Sequence, residues 1–126
     1  MATKSCEVYR CEICGNIVEV LHPAAGQLVC CGAPMSLLNA NTVDASREKH
    51  VPVPEASAHG ILVKVGSDPH PMIPEHFIEW IEIIDGSRIE RCHLKPGADP
   101  QAVFECSSQP DVVCRAFCNI HGLWKN

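Results

Sequence analysis

The sequence predicts a mainly β protein in two parts, a small metal-knuckle domain over residues 1–38 and an immunoglobulin-like antiparallel β-sandwich over residues 39–126. Three observations predict it. Near the start, cysteines come in pairs, as Cys11-Glu12-Ile13-Cys14 and Cys30-Cys31. From Val51 onward, short stretches of β-branched and aromatic residues alternate with proline and glycine, and no useful helical period appears. Between them, Asn39 to Lys49 is polar, lacks a core pattern and reads as a linker.

In the first part, two cysteines separated by two residues form a knuckle whose sulfurs can face one ion. The glycine after each pair, Gly15 and Gly32, lets backbone amides turn toward those sulfurs. Ile17, Val18, Val20 and Leu21 read as a short strand, His22 to Gly26 as a turn, and Leu28 and Val29 as the returning strand. That hairpin is expected to carry the second cysteine pair back to the first. A segment of ~35 residues buries too little apolar area to fold alone, so an ion held by four sulfurs supplies folding free energy directly. Four thiolates hold zinc or iron. Spacing leaves both open; the adjacent Cys30-Cys31 is less usual for a zinc ribbon and is expected to distort the tetrahedron.

Composition narrows the partners. A chain of 126 residues is one ordinary domain or a small one joined to a medium one. A net charge of −5 provides no basic field for nucleic acid or an anionic membrane. The N-terminus has no apolar leader region, and no apolar run approaches the ~20 residues of a membrane span, so a soluble chain, not secreted through a cleaved signal, is expected. Nine cysteines is an odd number, and without an export signal it favours metal ligation over a disulfide scaffold.

The linker carries Asp44, a candidate cap for a short helical turn, and ends in Glu48-Lys49-His50-Val51-Pro52. Strands are expected at Ile61 to Val65, Phe77 to Ile84, Ile89 to Leu94, Ala102 to Cys106 and Val112 to Phe117, with Pro52 and Pro54 on an edge. His70-Pro71-Met72-Ile73-Pro74-Glu75-His76 lies between two of them; its prolines forbid a helix, which excludes the HExxH zinc-protease arrangement. Cys118-Asn119-Ile120-His121-Gly122 follows the last strand and sets a sulfur three residues before an imidazole. His50, His70, His76, Cys118 and His121 thus all fall in loops or at strand ends of one domain. A cysteine-hydrolase reading of Cys118 with His121 lacks an identifiable oxyanion donor.

These motifs, in this order, resemble desulfoferrodoxin, the two-iron class of superoxide reductase, from about Tyr9 to Lys125. The resemblance implies one iron held by Cys11, Cys14, Cys30 and Cys31, as in desulforedoxin. It implies a second, catalytic iron with His50, His70, His76 and His121 in a plane and Cys118 axial. The implied reaction is one-electron reduction of superoxide to hydrogen peroxide without oxygen formation. With one thiolate, the ferrous centre carries a net +1 and attracts an anion. The family assigns Lys49 to attracting that anion and ordering water, and Glu48 to the sixth position of the ferric resting state. It also implies a homodimer and a rubredoxin-like electron donor. Cys6, Cys92, Cys106, Cys114, His22, His59 and His93 fall outside the ligand pattern and read as incidental. The competing reading is a non-catalytic electron-transfer or metal-binding module with a closed second site.

Overall fold

The computed structural model describes residues 2–42, 50–58, 60–105 and 112–126. Asp44, Glu48, Lys49, His59 and Cys106 lie outside the described residues. Among the described residues every regular element is a strand, and no helix is long and apolar enough to cross a membrane. The chain divides into two compact units, Met1–Asn39 and Ala40–Asn126.

The first unit is built from five very short strands: β1 (Val8–Arg10), β2 (Ile17–Glu19), β3 (Val29–Cys30), β4 (Ala33–Pro34) and β5 (Ser36–Leu37). β1 is central, pairing antiparallel with β2 on one side and β5 on the other. The expected hairpin from Ile17 to Val29 does not form. β2 turns back on β1, while β3 pairs with β4 through Val29–Pro34 and Cys30–Ala33. The reason lies in the two residues joining β3 to β4. Cys31 and Gly32 both have positive φ, 54° and 75°, as a two-residue hairpin turn of the primed type requires. This local closure supersedes the longer one read from the hydrophobic pattern, and Leu21 is left exposed.

Among the described residues, the second unit has seven strands in two antiparallel sheets. β6 (Pro52–Ser57), β7 (Gly60–Val65) and β10 (Gln101–Phe104) form one sheet in the order β10-β7-β6. β8 (Ile78–Asp85), β9 (Arg88–His93), β11 (Val113–Cys118) and β12 (Gly122–Lys125) form the other, in the order β12-β11-β8-β9. Pro52 and Pro54 fall on the edge strand β6, where a missing N–H breaks no ladder. Alternating side chains fill the space between the sheets: Ile61, Val63 and Val65 from β7, Ala102 and Phe104 from β10, Ile78, Ile81 and Ile83 from β8, and Cys114, Ala116 and Cys118 from β11. This four-on-three arrangement is the expected immunoglobulin-like sandwich.

Two features of the four-stranded sheet bear on the site. Its other face carries Phe117 stacked on Trp80 at 4.6 Å and the fully buried Glu82, which accepts from Arg115 Nη2 at 3.0 Å and from Trp80 Nε1 at 3.1 Å. The β8–β11 register also slips once: Phe117 pairs with Trp80, but Cys118 pairs with Ile78, leaving Glu79 as an extra residue in β8.

Candidate metal centres

In the first unit, Cys11 directly follows β1 and Cys14 comes three residues later. The Cys14 amide points at Cys11 Sγ from 3.4 Å, and the Asn16 amide points at Cys14 Sγ from 3.5 Å. Gly15 makes this possible: with φ of +83° its own amide reaches back to the Cys11 carbonyl at 2.9 Å. Cys30 and Cys31 would point to opposite faces of an extended strand, but the left-handed conformation of Cys31 breaks the alternation. Their sulfurs lie 3.9 Å apart, and Cys14 Sγ is 3.6 Å from Cys30 Sγ. A tetrahedron with metal–sulfur bonds of about 2.3 Å has edges of about 3.8 Å. These two edges match that value, and all four sulfurs lie within 4.8 Å of one another, close enough to share one ion.

The thiols respond to this crowding unequally. The Cys14 amide stabilises the Cys11 thiolate and lowers its pKa to about 6, against a smaller opposing effect of burial. Hydrogen bonding with Cys14 and then Cys30 pushes Cys31 up to about 12, and Cys30 is raised for the same kind of reason. Of these three thiols, Cys11 is the one that ionises most readily.

In the second unit, four imidazoles gather around Cys118. Ring centroids are 4.7 Å apart for His50 and His70, 4.7 Å for His70 and His76, 5.1 Å for His76 and His121, and 4.8 Å for His121 and His50. The His50–His76 diagonal is longer, at 6.5 Å. Four near-equal sides and a longer His50–His76 diagonal describe a four-membered ring of imidazoles, His50 and His76 at opposite corners. Donor atoms of His50, His76, Cys118 and His121 all lie within 4.8 Å of one another, about twice a metal–donor bond of 2.0–2.3 Å. His70 falls outside that tight set yet completes the ring of imidazoles by position.

Each corner is held differently. His70 Nδ1 lies 2.7 Å from the Pro71 carbonyl; a carbonyl only accepts, so Nδ1 carries the proton and the buried Nε2 presents its lone pair. His76 is set by reciprocal backbone hydrogen bonds with Ile73, at 3.0 and 3.1 Å. Cys118 is fully buried at the end of β11, and the His121 amide donates to its sulfur from 3.4 Å. Asn119 ties the two loops together, accepting from the Phe77 amide at 2.9 Å and donating to the Glu75 carbonyl at 3.1 Å. His50 is buried and stacks on Trp124 with centroids 4.6 Å apart. His121 is the exposed corner.

The donor sets fit the expected metal. Four thiolates suit iron or zinc, and imidazole with one thiolate suits iron; both groups are able to bind iron. Sequence reading picked out the residues gathered in these two groups but missed Asn119 and Trp124, which touch them or the loops that carry them. The signal for Asn119 was its place inside the Cys-to-His spacing, a polar residue with backbone partners within reach. Cys6, Cys92 and Cys114 take no part in either group.

Comparison with known proteins agrees with this architecture. The family model described as "Desulfoferrodoxin, N-terminal domain" matches residues 3–38, and that described as "Desulfoferrodoxin" matches residues 42–126. A desulfoferrodoxin of Syntrophotalea carbinolica is 60% identical over 120 residues, covering 95% of this chain and 94% of the other. A superoxide reductase of Pyrococcus horikoshii is 42% identical over 101 residues, covering 66% of this chain and 88% of its own. Among solved structures, the superoxide reductase of Treponema pallidum superposes with a TM-score of 0.77 at 30% identity, covering 95% of this chain and 96% of that one. With two metal-ligating groups on two β units and both family models matched in order, the chain belongs to the desulfoferrodoxin family.

Proposed function

We propose that the chain is a superoxide reductase that adds one electron and two protons to superoxide, yielding hydrogen peroxide without oxygen. The observation that supports the reading is the ring of four imidazoles, three of which bring donor atoms within 4.8 Å of the buried Cys118 sulfur. Bound there, iron supplies a one-electron reductant that cycles between the ferrous and ferric states. The remaining roles belong to the chain. Four neutral histidines add no charge, so the Cys118 thiolate is the one anionic donor. The His121 amide donating to that sulfur moderates how strongly it pushes electron density toward the metal. By the family resemblance, Lys49 would draw in the anionic substrate and order water that delivers protons, and Glu48 would supply a carboxylate donor to the oxidised iron. The ligand assignment is His50, His70, His76, His121 and Cys118 for this centre, and Cys11, Cys14, Cys30 and Cys31 for a second iron in a domain spanning 1–38.

By the same resemblance, the protein works as a homodimer in the cytoplasm and takes its electrons from a rubredoxin-like carrier. The test is a pulse of superoxide on the reduced protein, followed optically with peroxide and oxygen assayed. Stoichiometric peroxide without oxygen supports the reductase. Catalytic oxygen evolution would make it a dismutase, and no reaction would leave a closed metal-binding module.

A further inference from the structure

We infer that Trp124 is a positioning residue for the second centre, setting the orientation of two adjacent ligands at once. It serves one through its ring face and the other through its indole N–H. The ring lies 16° from the plane of His50 at a centroid separation of 4.6 Å, so the His50 imidazole cannot tilt or rotate about its own axis without losing that stack. Its Nε1 donates to the His121 carbonyl at 3.1 Å, which fixes the backbone from which the neighbouring corner projects. His50 and His121 are consecutive corners of the ring of imidazoles, their planes 77° apart and the His50 Nε2 3.0 Å from the His121 Nδ1. One side chain therefore sets the angle between them.

Trp124 is suited to this by its mounting. It pairs with Ala116 of β11, placing it on the same sheet face as Cys118 two residues further along. On its other side, residue 41 bridges it in parallel: the Asn41 amide donates to the Leu123 carbonyl at 3.0 Å, and the Lys125 amide donates to the Asn41 carbonyl at 2.9 Å. Held between two neighbours, the indole is on a rigid element, as a group that orients ligands must be. Trp80, the other tryptophan, instead stacks on Phe117 on the opposite face.

The inference rests on the assignment of His50 and His121 as ligands, and the test separates the two. The metal-free full chain is titrated with cobalt(II), whose visible bands report coordination geometry, in the wild type and in Trp124→Phe, Trp124→Leu and His50→Ala. The four-sulfur group serves as the reference within each chain. Trp124→Leu is expected to weaken cobalt binding at the histidine centre about 10- to 100-fold, the usual cost of removing a group that orients a ligand. Trp124→Phe, which keeps a ring but no N–H, should weaken it less and still shift the bands. The four-sulfur bands should not change in either. A folded Trp124→Leu protein with wild-type affinity and bands overturns the inference; should that variant not fold, wild-type behaviour of Trp124→Phe overturns it instead. Wild-type cobalt affinity in His50→Ala would remove the ligand assignment and the inference with it. Loss in His50→Ala but not at Trp124 removes the inference alone.

Discussion

Cys30 and Cys31 are consecutive in the chain, yet their sulfurs lie 3.9 Å apart on the same side of the backbone. The left-handed turn at Cys31 makes this possible, at a cost on the order of 1 kcal/mol for a non-glycine residue. Strain of this kind persists where an ion returns more than it costs. The ion must also overcome protons. At neutral pH, Cys30 and Cys31 are held protonated by their sulfur neighbours, whereas Cys11 is already largely ionised.

Metal uptake at this group should therefore release at least two protons per ion at pH 7, from Cys30 and Cys31. Because binding needs thiolates, affinity rises with pH and falls on acidification. Between pH 6 and 8 the logarithm of the affinity is expected to climb by about two or more per pH unit. Competition against a chelator, read from the sulfur-to-metal absorption, measures the slope; a flat profile contradicts it.

Replacing Cys118 with serine should leave the sandwich folded while abolishing the thiolate-to-iron absorption of the second centre. The reductase rate is expected to fall by about 100-fold or more, nearly 3 kcal/mol of barrier. Circular dichroism, visible spectra and rapid mixing with superoxide check the three parts separately. Survival of full activity would show that the sulfur is not a ligand.

Lys49→Ala should slow the bimolecular reaction about tenfold, since one unit charge steering an anion at dielectrics between those of water and protein surface is worth roughly 0.5–2 kcal/mol. Salt should erase the difference between variant and wild type, because screening acts on the same interaction. Glu48→Ala should leave that first step nearly intact and alter the ferric spectrum. Stopped-flow rates across ionic strength decide both.

Arg115→Ala leaves Glu82 fully buried with Arg91 Nη2 at 3.5 Å as its remaining cationic partner. Breaking such a pair typically costs roughly 3–5 kcal/mol, which in a unit of this size lowers the unfolding midpoint by about 12 °C or more. The visible spectrum of the histidine centre should be unaffected, because this pair lies on the opposite face of the sheet. A calorimetric scan beside the spectrum tests the separation.

The clusters of donor residues were legible in the sequence because metal donors are few in kind and sit at short spacings: Cys11 with Cys14, His70 with His76, Cys118 with His121. The sandwich was legible from period-two strands such as Ile61, Val63 and Val65. The hairpin of the first unit was misread because Leu28 and Val29 carry the right pattern for a strand but nothing that names its partner. That choice was made by two backbone angles at Cys31 and Gly32. β12 was overlooked for a related reason: Leu123 and Trp124 are too short a run to announce a strand, and its length becomes visible only beside β11. Asn119 and Trp124 escaped notice because their roles lie in contacts across the fold.

The extra residue at Glu79 works as a phase shifter. In an unbroken β8, the residues facing the core would be odd-numbered throughout, as Ile83 and Ile81 are; after the slip they become even, beginning with Ile78. His76 stands just outside the strand, two residues before Ile78. The slip brings Ile78, and not its neighbour, into the core opposite Cys118. A single uncounted residue in β8 thus sets which side chain backs the sulfur of the second group.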